Sequence, residues 1–244
     1  MNKKDGIFFS LGLLTILLFW LVSSVIIDNS IILPNIVDVL KSLIKILTTK
    51  KTYLIIFNTI SRLFLTIILA FVLAILFAIL SYSSRKIEQF VKPMFVIMKT
   101  LPVASIIIIL LVIVGNQLSP YLITGFVVLP LMYESIVTSF KNIDKNIIDE
   151  VKLVSQINFQ VIYYVFIPIV LPYIVSALIQ SIGLGLKVMV MAEFIAQPKD
   201  TIGYIMQEQR MYLNTDNIFA WTIILIIFVM VVEILIKKIK TKNQ

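Results

Sequence analysis

Cysteine is absent from this sequence, and so is histidine. The first absence excludes disulfides and thiolate chemistry. The second removes the usual general base and the commonest metal ligand. Charge is scarce as well: Asp, Glu, Lys and Arg make up only 14% of the 244 residues, where an average soluble domain carries roughly 25%. No Gly-rich stretch resembles a phosphate-cradling loop, so no ATPase is expected within the chain. An enzyme is a poor first reading, and no cofactor or metal is expected. What fills the space is apolar: 60% of the residues, with a mean hydropathy of +1.05. A water-soluble fold cannot hide that much apolar surface, so lipid must cover it. The net charge of +8 would point to nucleic acid in a soluble protein. Here the Lys and Arg residues sit in short loops between apolar runs, as the positive-inside bias expects, and nucleic acid is set aside as a partner.

A spanning helix needs roughly 20 mostly apolar residues. Charge-free windows place spans at 6–27 and 63–84, and long apolar runs place two more at about 166–192 and 217–236. The first follows Lys3 and Lys4 without an A-x-A-like cleavage site, and reads as an uncleaved signal anchor. The window from Thr100 to Tyr133 is too long for one crossing. Turn residues from Gly115 to Pro120 divide it into spans at about 94–115 and 119–139. The expectation is an all-α polytopic membrane protein with six spans. Residues 1–54 would form the first span plus an amphipathic segment, and residues 55–244 a five-span core. In that segment Ile36, Leu40, Leu43, Ile44 and Leu47 recur at helical spacing between charges, the pattern of an interfacial helix. Six spans put both termini on one side. That side collects thirteen of the 21 Lys and Arg residues against six on the other, which favours both termini in the cytoplasm. The four Lys of the first outer loop run against the trend.

The loop at 141–165 carries the most specific signal. From residue 142 it reads NIDKNIIDEVKLVSQINFQVIYYVFIPIVLPYI. Ile143, Ile147, Ile148, Val151, Val154 and Ile157 form a helical stripe interrupted by Asp144, Asp149 and Lys152. Such a helix either lies on the membrane or docks into a groove on a cytoplasmic partner. The segment resembles the EAA loop of ATP-binding-cassette (ABC) importer permeases. Asp149 takes the place of the loop's Glu, Glu150 and Val151 those of its two Ala, and Ser155 that of its Gly. Ile167-Pro168 and Leu171-Pro172 match its proline pair, and the match runs ungapped to Ala192-Glu193. Leu33-Pro34, Thr59-Ile60-Ser61-Arg62, Leu101-Pro102-Val103-Ala104 with Gly115, and Gly203 resemble the nitrate, sulfonate and taurine branch. Departures from the pattern fall at Ile36, Thr66, Asp149 and Ser155.

The resemblance implies a type I importer permease fold. It implies two cytoplasmic ABC ATPases bound through Asp149, Glu150, Val151, Val154, Ser155, Ile157, Pro168 and Pro172. A second permease copy would complete the pathway, and an extracytoplasmic binding protein would deliver a small, anionic or zwitterionic solute across the bacterial plasma membrane. Independently, Pro102, Pro130, Pro168 and Pro172 lie in or beside spans. Each frees a carbonyl that lipid cannot satisfy, as ordinary kinked packing or as helices bent around a pathway. Glu134 and Lys187 are charges within spans and default candidates for function. Glu134 needs a polar neighbour or a proton. Lys187 either snorkels to the outer interface or attracts an anionic solute, since the helix after the EAA loop lines the family's cavity. Glu193 reads as an outer gate or loop anchor. Trp20, Trp221 and the Tyr residues read as interface or packing residues. Two rivals remain. An ion-coupled secondary transporter predicts an internal repeat and clustered midplane charges, and neither is visible. A membrane enzyme would need a convergent polar constellation that Glu134 alone does not supply.

Overall fold

Lipid offers backbone polar groups no partner, so apolar runs of hydrocarbon length must satisfy themselves internally as helices. The computed structural model describes residues 3–154 and 159–242. Helix α1 runs Lys3–Ile27, α2 Ile36–Thr48, α3 Lys50–Ser83, α4 Arg85–Thr100 and α5 Val103–Lys141. Then come α6 (Lys145–Val154), a single turn α7 (Phe159–Val161) and a π turn at Ile162–Phe166 that runs into α8 (Ile167–Ala196). Helices α9 (Ile202–Met211) and α10 (Thr215–Lys242) follow. Among the described residues, five helices are long and apolar enough to cross a membrane, at Ser10–Ile27, Lys50–Ser83, Val103–Lys141, Tyr163–Ala196 and Thr215–Ile236.

Five helices stand against six expected spans: the span expected at 94–115 is broken at Leu101 and Pro102, between α4 and α5, and its remaining limb joins the next span through a reversal. Helix α5 has 39 residues; drawn straight it would measure roughly 58 Å, nearly twice the hydrocarbon thickness. It is not straight. Gly115 has φ 77° and ψ 179°, a backbone that only glycine adopts without strain. The Lys99 ammonium, just ahead of α5, lies 2.7 Å from the Glu134 carboxylate, which a straight α5 would carry roughly 45 Å away. Ile107 and Ile123, on either side of Gly115, join one apolar cluster. The chain therefore doubles back at Gly115, and the limbs 103–114 and 116–141 run antiparallel. The turn is tighter than the stretch 115–120 predicted from sequence, since Ser119 and Pro120 are already buried inside the second limb.

Helix α3 starts well before the window predicted at 63–84, because nothing between Lys50 and Arg62 breaks a helix. Arg62 is accommodated by Gln117, whose Oε1 accepts from Nη2 at 2.8 Å, and by the Tyr121 ring 5.3 Å away. The buried side of α3 reads Ile55, Thr59, Leu63, Ile67, Ala70, Ala74 and Ala78. This is a 3–4 spacing that ends in small residues, which let membrane helices approach closely. Helices α3, α5 and α8 form the centre of the bundle. The membrane window of α1 buries nothing. It is attached near its end through Trp20, which donates to the Pro34 carbonyl at 3.1 Å and packs on Phe219. Thr215 donates to the Ile31 carbonyl at 2.6 Å. Helix α1 thus ends where α10 begins, and residues 3 and 242 point to the same end of the bundle.

Helix α2 is amphipathic as predicted, with a different face inward. Val39, Ser42 and Ile46 are buried, and Ser42 hydrogen-bonds to Asp216 at the start of α10. Leu40, Ile44 and Leu47 of the predicted stripe stay exposed. This helix has apolar residues both on the side packed against the bundle and on the exposed side.

Candidate functional site: an outward polar face on α8 and a buried carboxylate

At the far end of α8, Glu193 is 0% exposed. Its Oε2 accepts from Thr59 Oγ1 of α3 at 2.9 Å and from the Gly203 N–H at 3.3 Å. The Thr59 hydroxyl oxygen in turn accepts from the Ile202 N–H at 2.9 Å. Ile202 and Gly203 open α9, where helical N–H groups have no partner of their own and favour an anion. The approach requires glycine. A Cβ on Gly203 would fall 2.5 Å from Glu193 Cβ, Phe194 N and Val190 O. Asn58 Nδ2 adds a bond to the Asp200 carbonyl at 2.9 Å, so α3, α8 and α9 are tied at one point. Glu193 faces the interior of this chain, and the gap it fills lies between its own helices.

The other face of α8 departs from what lipid tolerates. Its exposed positions are Tyr173, Ser176, Gln180, Leu184, Lys187 and Met191, three or four apart and so on one stripe. The opposite stripe, with Ile182, Leu186, Met189 and Glu193, is buried. Helix α8 continues to Ala196, which leaves Lys187 about 14 Å from the helix end at ~1.5 Å per residue. That is deeper than its distance from Glu193 alone implies. A lysine held at the centre of a spanning helix costs roughly 2.5–3.5 kcal/mol even on lenient scales. Such a face is costly against lipid unless the lysine snorkels to the interface or meets water or protein. Beside it, bounded by α5, α8, α9 and α10, lies an open groove of about 820 Å³ lined by Gln180, Lys187 and Thr222 among apolar side chains.

Glu134 stands apart from Lys187. Its carboxylate pairs with Lys99, and Lys141 pairs with Glu88. The two ion pairs clamp α4 along the second limb of α5, around the stacked rings of Phe95 and Tyr133, 4.1 Å apart. Lys99 is the polar neighbour that Glu134 required. Pro102 caps α5 in an extended conformation and is exposed. Pro168 stands at the start of α8 after the π turn, and Pro172 lies inside the helix.

In α6 the Asp144 side chain accepts the Asn146 N–H at 2.9 Å, an N-terminal cap. Ile147, Ile148 and Val151 are half-buried, while Asp149 and Glu150 are exposed. Leu153, 86% exposed, is the apolar side chain that projects outward, and the predicted stripe did not include it. Val154 lies at the end of α6, and its side chain is outside the described set; Ser155 and Ile157 lie outside the described residues altogether. Ser176 and Gln180 were also missed. Their spacing of four and seven residues from one another and from Lys187 was the available signal.

A bundle with five helices long and apolar enough to cross a membrane has the architecture of a multi-pass membrane protein. The sequence matches the family described as binding-protein-dependent transport system inner membrane component over residues 70–241. The chain belongs to this family of ABC permeases and has its type I permease fold. A Brucella melitensis protein named as a probable ABC transporter permease is 24% identical over 195 residues, covering 79% of this chain and 78% of that protein. A Brucella abortus protein with the same kind of name is also 24% identical over 195 residues, covering 79% and 77%.

Proposed function

We propose that this chain is the membrane subunit of an ATP-driven importer and forms, with a second copy, the pathway for a small anionic or zwitterionic solute. The nitrate, sulfonate and taurine branch fits the motifs in its sequence. One observation carries the reading: the exposed stripe Ser176–Gln180–Lys187 on a hydrocarbon-length helix, a surface that lipid disfavours and a wet pathway between copies accommodates. Helix α6 is the docking element for a cytoplasmic ABC ATPase, and the opposite end, with α2 and α9, receives an extracytoplasmic binding protein. Glu193 is the anchor that holds α9 there. Closure of the ATPases swings α6 and rocks the bundle, a rigid-body transition between two accesses.

Purification of the tagged chain from its native membrane tests this. An ABC ATPase subunit is expected in stoichiometric amount, with ATP hydrolysis that vanadate inhibits. A chain that purifies alone and without hydrolysis would sink the proposal and favour the ion-coupled transporter. Orientation is tested separately, since no native Cys interferes. In intact cells Met211→Cys should react with an impermeant thiol reagent and Asn142→Cys should not. The reverse pattern would invert the proposed topology.

A further inference from the structure

Helix α3 and the second limb of α5 run side by side in the same direction, joined where Arg62 meets Gln117, Thr66 meets Gly125 and Ser81 meets Tyr133. Thr66, Ala70 and Gly125 are small, so the surface between the helices sinks into a trough of about 420 Å³. Leu69 and Leu73 of α3 and Leu122, Phe126 and Leu129 of α5 form its walls, and among the described residues no charged side chain lines it. From Thr66 to Leu73 it follows about 10 Å of helix. One cation stands at its end. Arg62 lies one turn beyond Thr66, with its guanidinium 5.3 Å from the Tyr121 ring that lines the trough. Both Nη atoms donate to Gln117, which leaves part of the donor fork unused. Among the described residues Arg62 forms no ion pair. Glu193, one turn further against Thr59, is fully buried and accepts from Thr59 and Gly203 instead. Helix α3 ends at Ser83, about 32 Å along the helix from Arg62, and the hydrocarbon core is roughly 30 Å thick. Arg62 thus stands where the phosphates of one leaflet begin, and a planar donor fork matches a phosphate. Bulk lipid is as apolar as the trough, so packing alone holds a chain there and the charge must supply selectivity. The trough shares no lining residue with the groove beside Lys187, the side that the proposed function gives to the second copy.

We propose that this trough holds a phospholipid of the leaflet on the Gly115 side, with its phosphodiester on Arg62 and one acyl chain lying between α3 and α5. The proposed orientation serves only to name that leaflet as the outer one. Neither the transported solute nor the ATPase enters the assignment.

Native mass spectrometry of the complex, purified in detergent and mixed with palmitoyl-oleoyl phosphatidylglycerol or with the diacylglycerol of the same chains, provides the test. One phosphatidylglycerol should stay bound to each copy of the chain, and the diacylglycerol should not. Arg62→Gln should weaken retention about tenfold or more, the worth of a hydrogen bond to a charged group. Arg62→Lys keeps the charge without the fork and should fall between. Gly125→Leu leaves the guanidinium in place and puts carbon into the trough; its Cβ has room, 3.5 Å from Thr66 Cγ2. It should lower retention as far as Arg62→Gln does. Equal retention of the diacylglycerol, or full retention by Arg62→Gln, would overturn the proposal, as would a parent complex that keeps neither lipid. Should Arg62→Gln aggregate, Gly125→Leu decides alone, and full retention by it would remove the trough as the site. A disulfide formed readily between two copies of Phe126→Cys in the native membrane would place a second copy there and overturn the lipid.

Discussion

Gly203→Ala is expected to destabilise the bundle by about 3 kcal/mol or more, at the upper end of what overpacking costs. The added methyl would stand 2.5 Å from the Phe194 amide nitrogen and the Val190 carbonyl oxygen. Neither backbone atom can rotate away, so α9 must lift off α8. Lifting it breaks the Gly203 and Ile202 N–H bonds and leaves Glu193 buried with a single donor. A polar group stranded in this way costs about 1–3 kcal/mol. Glu193→Gln keeps an acceptor oxygen and should cost less, whereas Glu193→Ala should approach the glycine variant. Unfolding in mixed micelles, or the temperature at which the detergent-solubilised chain aggregates, measures this ranking. If Gly203→Ala matched the parent, the proposed anchor would be discarded.

Leu153→Asp is expected to lower recovery of the ATPase with the chain at least 30-fold, about 2 kcal/mol at 1.4 kcal/mol per decade. Leu153 projects from α6, while Ile147, Ile148 and Val151 are half-buried. An exposed leucine flanked by Asp149 and Glu150 suits insertion into a dry groove, where a carboxylate would be stranded. Leu153→Met should retain the partner, because it conserves volume and apolar character. Val151→Asp should act differently. Val151 is half-buried and offers a partner less surface than Leu153, so the loss of ATPase recovery should be smaller. Unchanged recovery with Leu153→Asp would show that the leucine merely touches lipid.

Much of the fold was legible because the bilayer enforces it. Length and apolarity located the five membrane-length helices, and the glycine at 115 marked the reversal inside the longest of them. The start of α3 at Lys50 was not legible. A charge in the window reads as a boundary in sequence, yet Arg62 is tolerated where Gln117 and Tyr121 receive it. The α2 stripe was found with the wrong face inward, because that helix has apolar residues on both sides and only its contact with α10 chooses between them.

The site divides in the same way. Sequence alone determined that the chain is a helical membrane protein, that Glu134 and Lys187 are out of place in lipid, and that an apolar stripe marks the loop at 141–165. These follow from local composition and period, which depend on neighbours along the chain. Only the tertiary structure decided what each charge meets. It gave Glu134 a partner 35 residues away in Lys99, turned Glu193 inward onto Thr59 and Gly203, and left Lys187 facing an open groove. An ionisable group in the membrane is stabilised or stranded by what stands within a few ångströms of it. Helices distant in sequence supply those neighbours, and their arrangement is fixed by packing across the whole bundle.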